Sequence, residues 1–143
     1  MSSAVGIAVV IPVLGDTALL DTLLARLAVQ RPEQVIVVSG SSDAAVPALC
    51  SRHACEHVQT VPNRGVQLDA GARRARSAVL WFVHADAGVP DDALALIAAA
   101  VRSGVESGCF KFAFQGPPAW YKSALARHDA RGVPGFLAAR RTR

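Results

Sequence analysis

The chain has 143 residues, of which 52% are hydrophobic, and its mean hydropathy of +0.32 is high for a soluble protein. Apolar runs stay well short of the roughly 18 residues that a membrane-spanning helix needs, and the first residues lack the basic start and cleavage region of a signal peptide, so we expect a cytoplasmic protein with no transmembrane segment. Lys and Arg outnumber Asp and Glu by 15 to 11, which suits an anionic partner without identifying it.

A chain of this length can form one domain with a sizeable core. Its three cysteines, Cys50, Cys55 and Cys109, are odd in number and form no C-x-x-C pair. This pattern argues against both a disulfide framework and a zinc site. We therefore predict a single domain over residues 1–143 in which the cysteines are small core residues.

Apolar, β-branched runs alternate with segments of helical periodicity along the chain. Strict alternation of this kind predicts an α/β sandwich with a mostly parallel sheet. Residues 131–143 are predicted to form no regular element. The predicted elements are a strand at 5–11 closed by Pro12, a helix at 17–29 with Asp16 as N-cap, a strand at 34–38 followed by a polar turn at 39–43, a helix at 44–53, a strand at 57–61, a break at 62–65, a helix at 66–76, a strand from residue 80, a helix at 90–102, a strand at 108–114 and a helix at 120–129.

The strand that begins at residue 80 carries four large apolar residues in a row, Leu80-Trp81-Phe82-Val83. Such a run must be covered on both faces, as in a parallel sheet flanked by helices. Ligands of these sheets collect at the carboxyl ends of the strands. His84 and Asp86 follow there with one residue between them, so both side chains can leave the same side of the strand end. The spacing favours a site for a metal or a charged ligand.

Four segments of the chain belong together. They are V-V-I-P-V-L at 9–14, V-I-V-V-S-G-S-S-D at 35–43, N-R-G-V-Q-L-D-A-G-A at 63–72, and L-W-F-V-H-A-D-A-G-V-P at 80–90. In this order they resemble bacterial family 2 glycosyltransferases, and the third and fourth are similar to a subgroup associated with radical-SAM and selenodomain proteins. The resemblance covers roughly residues 5–114. It implies a GT-A-like (Rossmann-like) three-layer sandwich that binds a nucleotide-sugar donor and transfers the sugar to an unknown acceptor.

The resemblance also implies site residues. In the fourth segment, H-A-D stands where the wider family has its D-x-D metal motif, so Asp86 and His84 are the predicted ligands of a divalent cation, Mn or Mg. Arg64, beside a glycine at a helix start, suits phosphate together with backbone N–H groups. The residues predicted to bind the nucleotide are Pro12, Val13, Leu14, Asp16, Ser39, Gly40, Arg64, Gln67 and Ala85.

Each of these residues also has a purely structural interpretation. Asp86 can cap the turn before Pro90, and His84 can close a buried strand. Residues 39–42 make a good turn and helix cap without a ligand. Gln67 and Asp69 can be ordinary solvated positions, whereas Gly71 is interpreted as a close helix contact. Three further arginines are interpreted as a solvated helix face that does not bind nucleic acid, namely Arg73, Arg74 and Arg76.

The chain departs from the family pattern at several positions. Gly15 and Asp16 stand where Asn and Glu are usual, and the first family aspartate of the second segment falls on Val38. An acceptor-side Y-G-D-Q motif is missing after Pro134, so we expect residues 115–143 to be a shortened acceptor segment. Inverting transfer needs a carboxylate base, for which Asp129 is the remaining candidate.

Three hypotheses therefore remain. The chain is a metal-dependent glycosyltransferase, a catalytically inactive relative that acts as a nucleotide-binding or protein-interaction module, or an unrelated doubly wound domain. A homo-oligomer is a further expectation, because Phe110, Phe112 and Phe114 give the predicted strand at 108–114 a strongly apolar face.

Overall fold

The computed structural model describes residues 4–110 and the backbone of residues 138–140. Strands and helices alternate through most of this region, as the sequence predicts. The elements are β1 (Ile7–Val13), α1 (Thr17–Gln30), β2 (Gln34–Ser39), α2 (Ala45–Arg52), β3 (Glu56–Gln59), α3 (Arg64–Arg74), β4 (Val79–Phe82), α4 (Ala93–Arg102), β5 (Ser107–Gly108) and β6 (Ala138–Arg140).

These strands form a sheet in the order β3-β2-β1-β4-β6-β5. The first four are parallel to one another, and β6 pairs antiparallel with both β4 and β5. The predicted α/β sandwich with a mostly parallel sheet is confirmed.

Both faces of β1 are buried, which is why its residues are apolar without alternation. Its odd-numbered residues from Ile7 to Val13 pack in a large core with α1, α2 and α4. Ala8 and Val10 face the other side and pack against α3. The sheet is thus the middle of three layers.

Hydrogen-bonding side chains determine where the helices begin. Asp16 caps α1 as predicted, since its carboxylate accepts from Leu19 N at 3.2 Å. Asn63 caps α3 in the same way, at 3.1 Å from Val66 N, so α3 begins at Arg64 and not at residue 66. Among the described residues, no helix is long and apolar enough to cross a membrane.

Pro12 lies within β1, in register with Val38 of β2, so the prediction that it closes the strand is wrong. In a strand, alternate residues direct their backbone groups to opposite neighbours. The carbonyl of Val10 faces β4, where it accepts from Val83 N, and that of Val13 faces β2, where it accepts from Gly40 N. Pro12 therefore faces the β4 side, beyond the last residue of β4, where no backbone N–H is needed.

The predictions for residues 108–143 and for one of the cysteines are only partly confirmed. The strand predicted at 108–114 is only two residues long where it is described, and residues 111–114 lie outside the described residues, as does the predicted helix at 120–129. Residues 138–140 form β6, so the prediction that the tail contains no regular element is wrong. Of the three cysteines, Cys50 is buried and Cys55 half-buried, but Cys109 is exposed. The prediction that all three are core residues therefore fails at Cys109.

A charged cluster ties the amino ends of β2 and β3 to the end of α3. Glu56 accepts from Gln34 at 2.6 Å, from Arg74 at 2.8 Å and from Arg76 at 2.9 Å. Burial alone would raise the pKa of the Glu56 carboxyl, but these three donors outweigh it and hold the pKa below its ordinary value of 4.5. Arg73, on the same exposed surface, pairs with Asp69 at 2.7 Å.

Because its folded-state pKa is lowered, Glu56 contributes stability that is present above its unfolded pKa and lost as the pH falls. We expect Glu56→Gln to be less stable than the wild type at pH 7, with the difference shrinking as the pH falls below the unfolded pKa of about 4.3 and lost as it passes the lowered folded-state pKa. Urea unfolding at a series of pH values measures this difference. A gap that stayed constant down to pH 3 would contradict the assigned ionic role.

Helix α3 packs on the sheet through Gly71. A Cβ at this position would clash with Val10 and lie 3.1 Å from Cγ2 of Val38. Alanine normally stabilises a helix interior relative to glycine by roughly 1 kcal/mol, but here we expect Gly71→Ala to destabilise the chain by about 1–3 kcal/mol. Chemical denaturation tests this, with Gly15→Ala as the control, because a Cβ at Gly15 meets nothing within 4 Å. A more stable Gly71→Ala chain would contradict the packing.

Candidate functional site

The order of the strands creates a crevice between β1 and β4. From β1 the chain proceeds through β2 to β3 on one side and then returns to β4 on the other side of β1. In open α/β sheets, ligands bind at the carboxyl ends of the strands where the order reverses. Leu14 follows β1 at this edge, and His84 and Asp86 follow β4. The candidate site therefore lies at this edge of the sheet.

His84 and Asp86 lie in a turn just beyond β4. The strand ends at Phe82, and Val83 N still donates to Val10 O at 3.0 Å. A hydrogen bond of 3.0 Å from Ala87 N to His84 O then closes a turn that contains Ala85 and Asp86. Ala85 packs against the core, whereas Asp86 is exposed. The sequence suggested a strand that ends at the Asp86 carboxylate, but β4 ends earlier, at Phe82. The carboxylate nevertheless lies at the predicted edge of the sheet.

Arg64, the first residue of α3, reaches this turn from the opposite face of the sheet. Its guanidinium nitrogen Nη1 contacts Nδ1 of His84 and lies 3.1 Å from Nε2 of the same ring. Burial lowers the pKa of His84, the Arg64 charge lowers it further, and Asp86 opposes both. Since a guanidinium only donates hydrogen bonds, the ring nitrogen that it meets must be unprotonated. The structure thus brings together three predicted site residues, Arg64, His84 and Asp86.

Gln67 lies one helical turn after Arg64 and is only 2% exposed. Its side-chain amide donates to Val13 O at 2.9 Å and to Val38 O at 2.8 Å. Gln67 therefore joins the carboxyl ends of β1 and β2 from a buried position on α3. The interpretation of Gln67 as a solvated position is wrong, although Asp69 on the same helix is exposed.

The turn after β2 is closely packed. A Cβ at Gly40 would lie 2.8 Å from both Pro62 Cα and Leu14 Cδ2, so no larger residue fits without moving the backbone. The hydroxyl of Ser39 is buried and lies 2.8 Å from Nε2 of His57, whose pKa is lowered by burial. Neither Pro62 nor His57 was identified from the sequence, because their roles depend on contacts between separate loops.

Leu14 and Ser41 differ in how accessible they are to a ligand on this side of the site. Leu14 is 54% exposed, which is unusual for a large apolar side chain at a strand end. Within the described part of the chain, the buried Oγ of Ser41 has no hydrogen-bond partner. Asp16 also lies at this edge, but its carboxylate accepts from the first turn of α1. Pro12 and Val13 are buried in β1.

The sequence profile of glycosyl transferase family 2 matches residues 8–139, which is most of the chain. The chain belongs to glycosyl transferase family 2. A search of curated protein sequences gives no match.

Solved structures share the GT-A fold of this family 2 chain. S. aureus TarS, residues 1–349, is 18% identical and superimposes with a TM-score of 0.69 over 80% of this chain and 38% of that chain. Glucosyl-3-phosphoglycerate synthase from Mycobacterium tuberculosis, in complex with Mn2+ and UDP-glucose, is 16% identical with a TM-score of 0.71 over 97% of this chain and 57% of that chain. The chain thus spans little more than a third of TarS 1–349 and somewhat over half of the synthase.

Of the two predicted metal ligands, Asp86 is accessible to a divalent cation as the side chains are placed, and His84 is not. Asp86 offers an exposed carboxylate beside the crevice. The ring of His84 faces Arg64, so a cation could reach the contacted nitrogen only if the guanidinium moved away. Within the described residues, no cluster of three or more His, Cys, Asp or Glu side chains could hold a metal ion. A cation at Asp86 would therefore take further ligands from phosphate and water, as Mg2+ commonly does.

Family membership makes the position of Val38 informative. Its side chain is fully buried in the layer beneath α3. By the resemblance described above, the first family aspartate of this segment falls on Val38, and a buried valine offers no carboxylate to a ligand. Asp129, the predicted base, lies outside the described residues, and its role stays a prediction.

The bridging role of Gln67 is testable. Replacing Gln67 by Met keeps the side-chain length but removes the donors to two carbonyl groups, so we expect a loss of about 1–3 kcal/mol in the free energy of unfolding. Gln59→Met, at an exposed position that ends β3, is the matched control and should change stability by less than about 0.5 kcal/mol. Urea denaturation of both variants gives the comparison, and equal small effects would refute the bridge.

Proposed function

We propose that the chain binds a nucleotide-diphosphate sugar and acts as a metal-dependent glycosyltransferase toward an unknown acceptor. The observation that carries this proposal is the meeting of Arg64, at the start of α3, with the His84–Asp86 turn after β4. A helix packed on the sheet and a turn at the end of one of its strands thereby present a cationic group and a carboxylate at one crevice. Family membership supports the same function, as do the Mn2+ and UDP-glucose bound to the M. tuberculosis synthase.

In this proposal Asp86 holds the divalent cation, either Mn2+ or Mg2+. When bound, the cation neutralises the charge that builds up on the departing nucleotide diphosphate. His84 is the second predicted ligand, and its alternative role is to hold Arg64 in place through the contact described above. Which role His84 serves depends on whether Arg64 moves when the donor binds.

Arg64 and the first turn of α3 are suited to the diphosphate. The guanidinium can form paired hydrogen bonds with phosphate oxygens. The amides of Arg64 and Gly65 precede the first hydrogen bonds of the helix, which are Gln67 N to Asn63 O and Val66 N to the Asn63 side chain. These free N–H groups and the helix dipole favour an anion at this position.

The nucleoside would lie across the ends of β1 and β2. We assign it to the surface formed by Leu14, Ser41 and the backbone of Gly40. The exposed leucine offers an apolar contact to a base, whereas the unpartnered Ser41 hydroxyl is buried and would have to turn outward to give a hydrogen bond. The remaining predicted contacts on this side are Pro12, Val13, Asp16 and Ser39, with Ala85 on the β4 side.

Several finer assignments remain part of this proposal. They are Asp129 as base, membership of the radical-SAM-associated subgroup on the strength of the H-A-D segment, an acceptor-side role for residues 115–143, a cytoplasmic location and a homo-oligomer. One contact bears on the oligomer: Phe110, one of the residues expected between subunits, packs against Trp81 of the same chain with ring centroids 5.7 Å apart.

A second candidate function is a catalytically inactive nucleotide-binding or protein-interaction module. The observation in its favour is the buried Val38 at the family aspartate position, which removes a ligand contact while leaving the fold intact. Hydrolysis of the donor without acceptor separates the two candidates, because an active transferase would release sugar slowly and an inactive module would not.

Donor binding is tested by thermal shift with UDP-, GDP- and dTDP-sugars, with and without Mn2+. A donor at about 100 times its dissociation constant stabilises the folded chain by about 2.7 kcal/mol, which should raise the melting temperature by several degrees. We expect the shift to require Mn2+ and to be abolished by chelator.

Asp86→Asn should reduce the Mn2+-dependent stabilisation by about 2 kcal/mol, since the charged contact of the carboxylate with the cation is lost. Asp91→Asn is the matched control, because Asp91 is an exposed aspartate five residues later. If no donor raises the melting temperature of the wild type, the proposed function is refuted. If donors bind but Asp86→Asn and Asp91→Asn behave alike, the metal assignment is wrong.

A further inference from the structure

Residues 87–92, the connecting segment, join the His84–Asp86 turn to α4. Of these six residues, Val89 is buried at 4% exposure and Ala87 is half-buried, while the other four are exposed. A segment with so few buried contacts opens easily unless other elements hold it. Its position nevertheless determines where Asp86 lies, because the turn and the segment share Ala87.

Two side chains from the last turns of α1 hold this segment. Arg26 donates from Nη1 to Val89 O at 3.3 Å, and Gln30 donates from Nε2 to Pro90 O at 2.9 Å. The two donors lie four residues apart on one face of α1. They therefore hold consecutive carbonyl groups of the segment from a single rigid helix.

Gln30 also begins α4. Asp92 occupies the N-cap position but makes no capping hydrogen bond. Instead, Oε1 of Gln30 accepts from Leu94 N at 3.0 Å, which is the bond that an N-cap side chain normally provides. One amide group thus fixes both the end of the connecting segment and the start of the following helix, with bond partners about 60 residues away in the sequence.

We propose that Arg26 and Gln30 are positioning residues that set the location of the Asp86 carboxylate. The effect on cation and donor binding rests on the proposed function. The placement of the Asp86 turn by Arg26 and Gln30 does not. The turn at Asp86 is closed by the hydrogen bond from Ala87 N to His84 O. Without the hydrogen bonds to Val89 O and Pro90 O, the connecting segment can move away from α1. Such a movement weakens the hydrogen bond from Ala87 N to His84 O that closes the turn.

The consequence for binding follows from the geometry of cation sites. Mutation of the groups that hold a metal ligand in place typically lowers metal affinity or activity by about 10–100-fold. Neither Arg26 nor Gln30 lies among the residues assigned to the donor, so we expect a change in donor or cation affinity on their replacement to act through the turn that carries Asp86.

Amide hydrogen exchange followed by NMR tests the positioning directly, without any ligand. In Gln30→Met and Arg26→Met, we expect the Ala87 amide to exchange about fivefold to tenfold faster than in the wild type, as expected for a weakened hydrogen bond. Gln34→Met is the matched control. Gln34 is also a glutamine whose amide bridges other groups, to Glu56, Arg74 O and Arg76 N, but it does so at the opposite edge of the sheet.

Gln30→Glu separates positioning from helix capping. It keeps an oxygen acceptor for Leu94 N but loses the donor to Pro90 O. We expect the Leu94 amide to remain protected and the Ala87 amide to lose protection. If Gln30→Glu protects both amides as the wild type does, or if Gln34→Met accelerates Ala87 exchange as much as Gln30→Met, the proposal is overturned.

Titration of the full chain with Mn2+ in the presence of UDP supplies the functional readout. We expect Gln30→Met and Gln30→Glu to weaken Mn2+ binding by about tenfold or more, and Gln34→Met to leave it unchanged even where it lowers the melting temperature. Unchanged Mn2+ affinity in both Gln30 variants would overturn the positioning role. If the wild type binds neither Mn2+ nor UDP, the proposed function fails, while the exchange experiment still decides whether the turn depends on Gln30.

Discussion

The close packing of α3 against β1 and β2 is the constraint on which the site depends. Gly71 allows the helix backbone to approach Val10 and Val38, and Gln67 donates both hydrogens of its amide to carbonyls at the ends of the same two strands. A polar side chain this deeply buried is favourable only when its hydrogen bonds are made. Helix α3 can therefore occupy only one position along the sheet, and that position brings its first residue, Arg64, to the crevice.

The other half of the site is controlled from the opposite layer. Helix α1 packs beneath the sheet through Leu20, Leu23, Leu24 and Leu27, and its final turns reach the segment that follows Asp86. The cationic and anionic groups of the crevice are thus held by different helices on different faces. Such an arrangement leaves the loops exposed to a ligand while their anchors remain buried.

The sequence predicted the features that depend on local pattern. Alternating strands and helices, the Asp16 cap and the close contact at Gly71 all follow from periodicity or from one residue type at one position. The edge at which His84 and Asp86 lie also followed from their place at the carboxyl end of a buried strand. What could not be predicted depends on distant partners. Gln67 bridges residues 54 and 29 positions away, and α4 starts at Ala93 because its capping group comes from Gln30.

Pro12 and β6 illustrate the same limit. Proline is compatible with β1 only because β4 ends before reaching it, which the sequence of β1 does not reveal. Strand β6 is a three-residue segment of the kind A-A-R, whose pairing with β4 supplies the stability that its own composition does not. Short strands of this kind are determined by the edge that they cover and not by their own β-propensity.

Paramagnetic broadening by Mn2+ tests the central claim that one crevice, formed by α3 and the turn after β4, binds the cation and the diphosphate. Amide signals of the full chain would be recorded with UDP while Mn2+ is added in small steps. The account predicts that broadening is centred on residues 85–87 and on Arg64 and Gly65, and that it is weak around Glu56 at the opposite edge of the sheet. Broadening centred near Glu56, or spread evenly over the acidic surface residues, would contradict it.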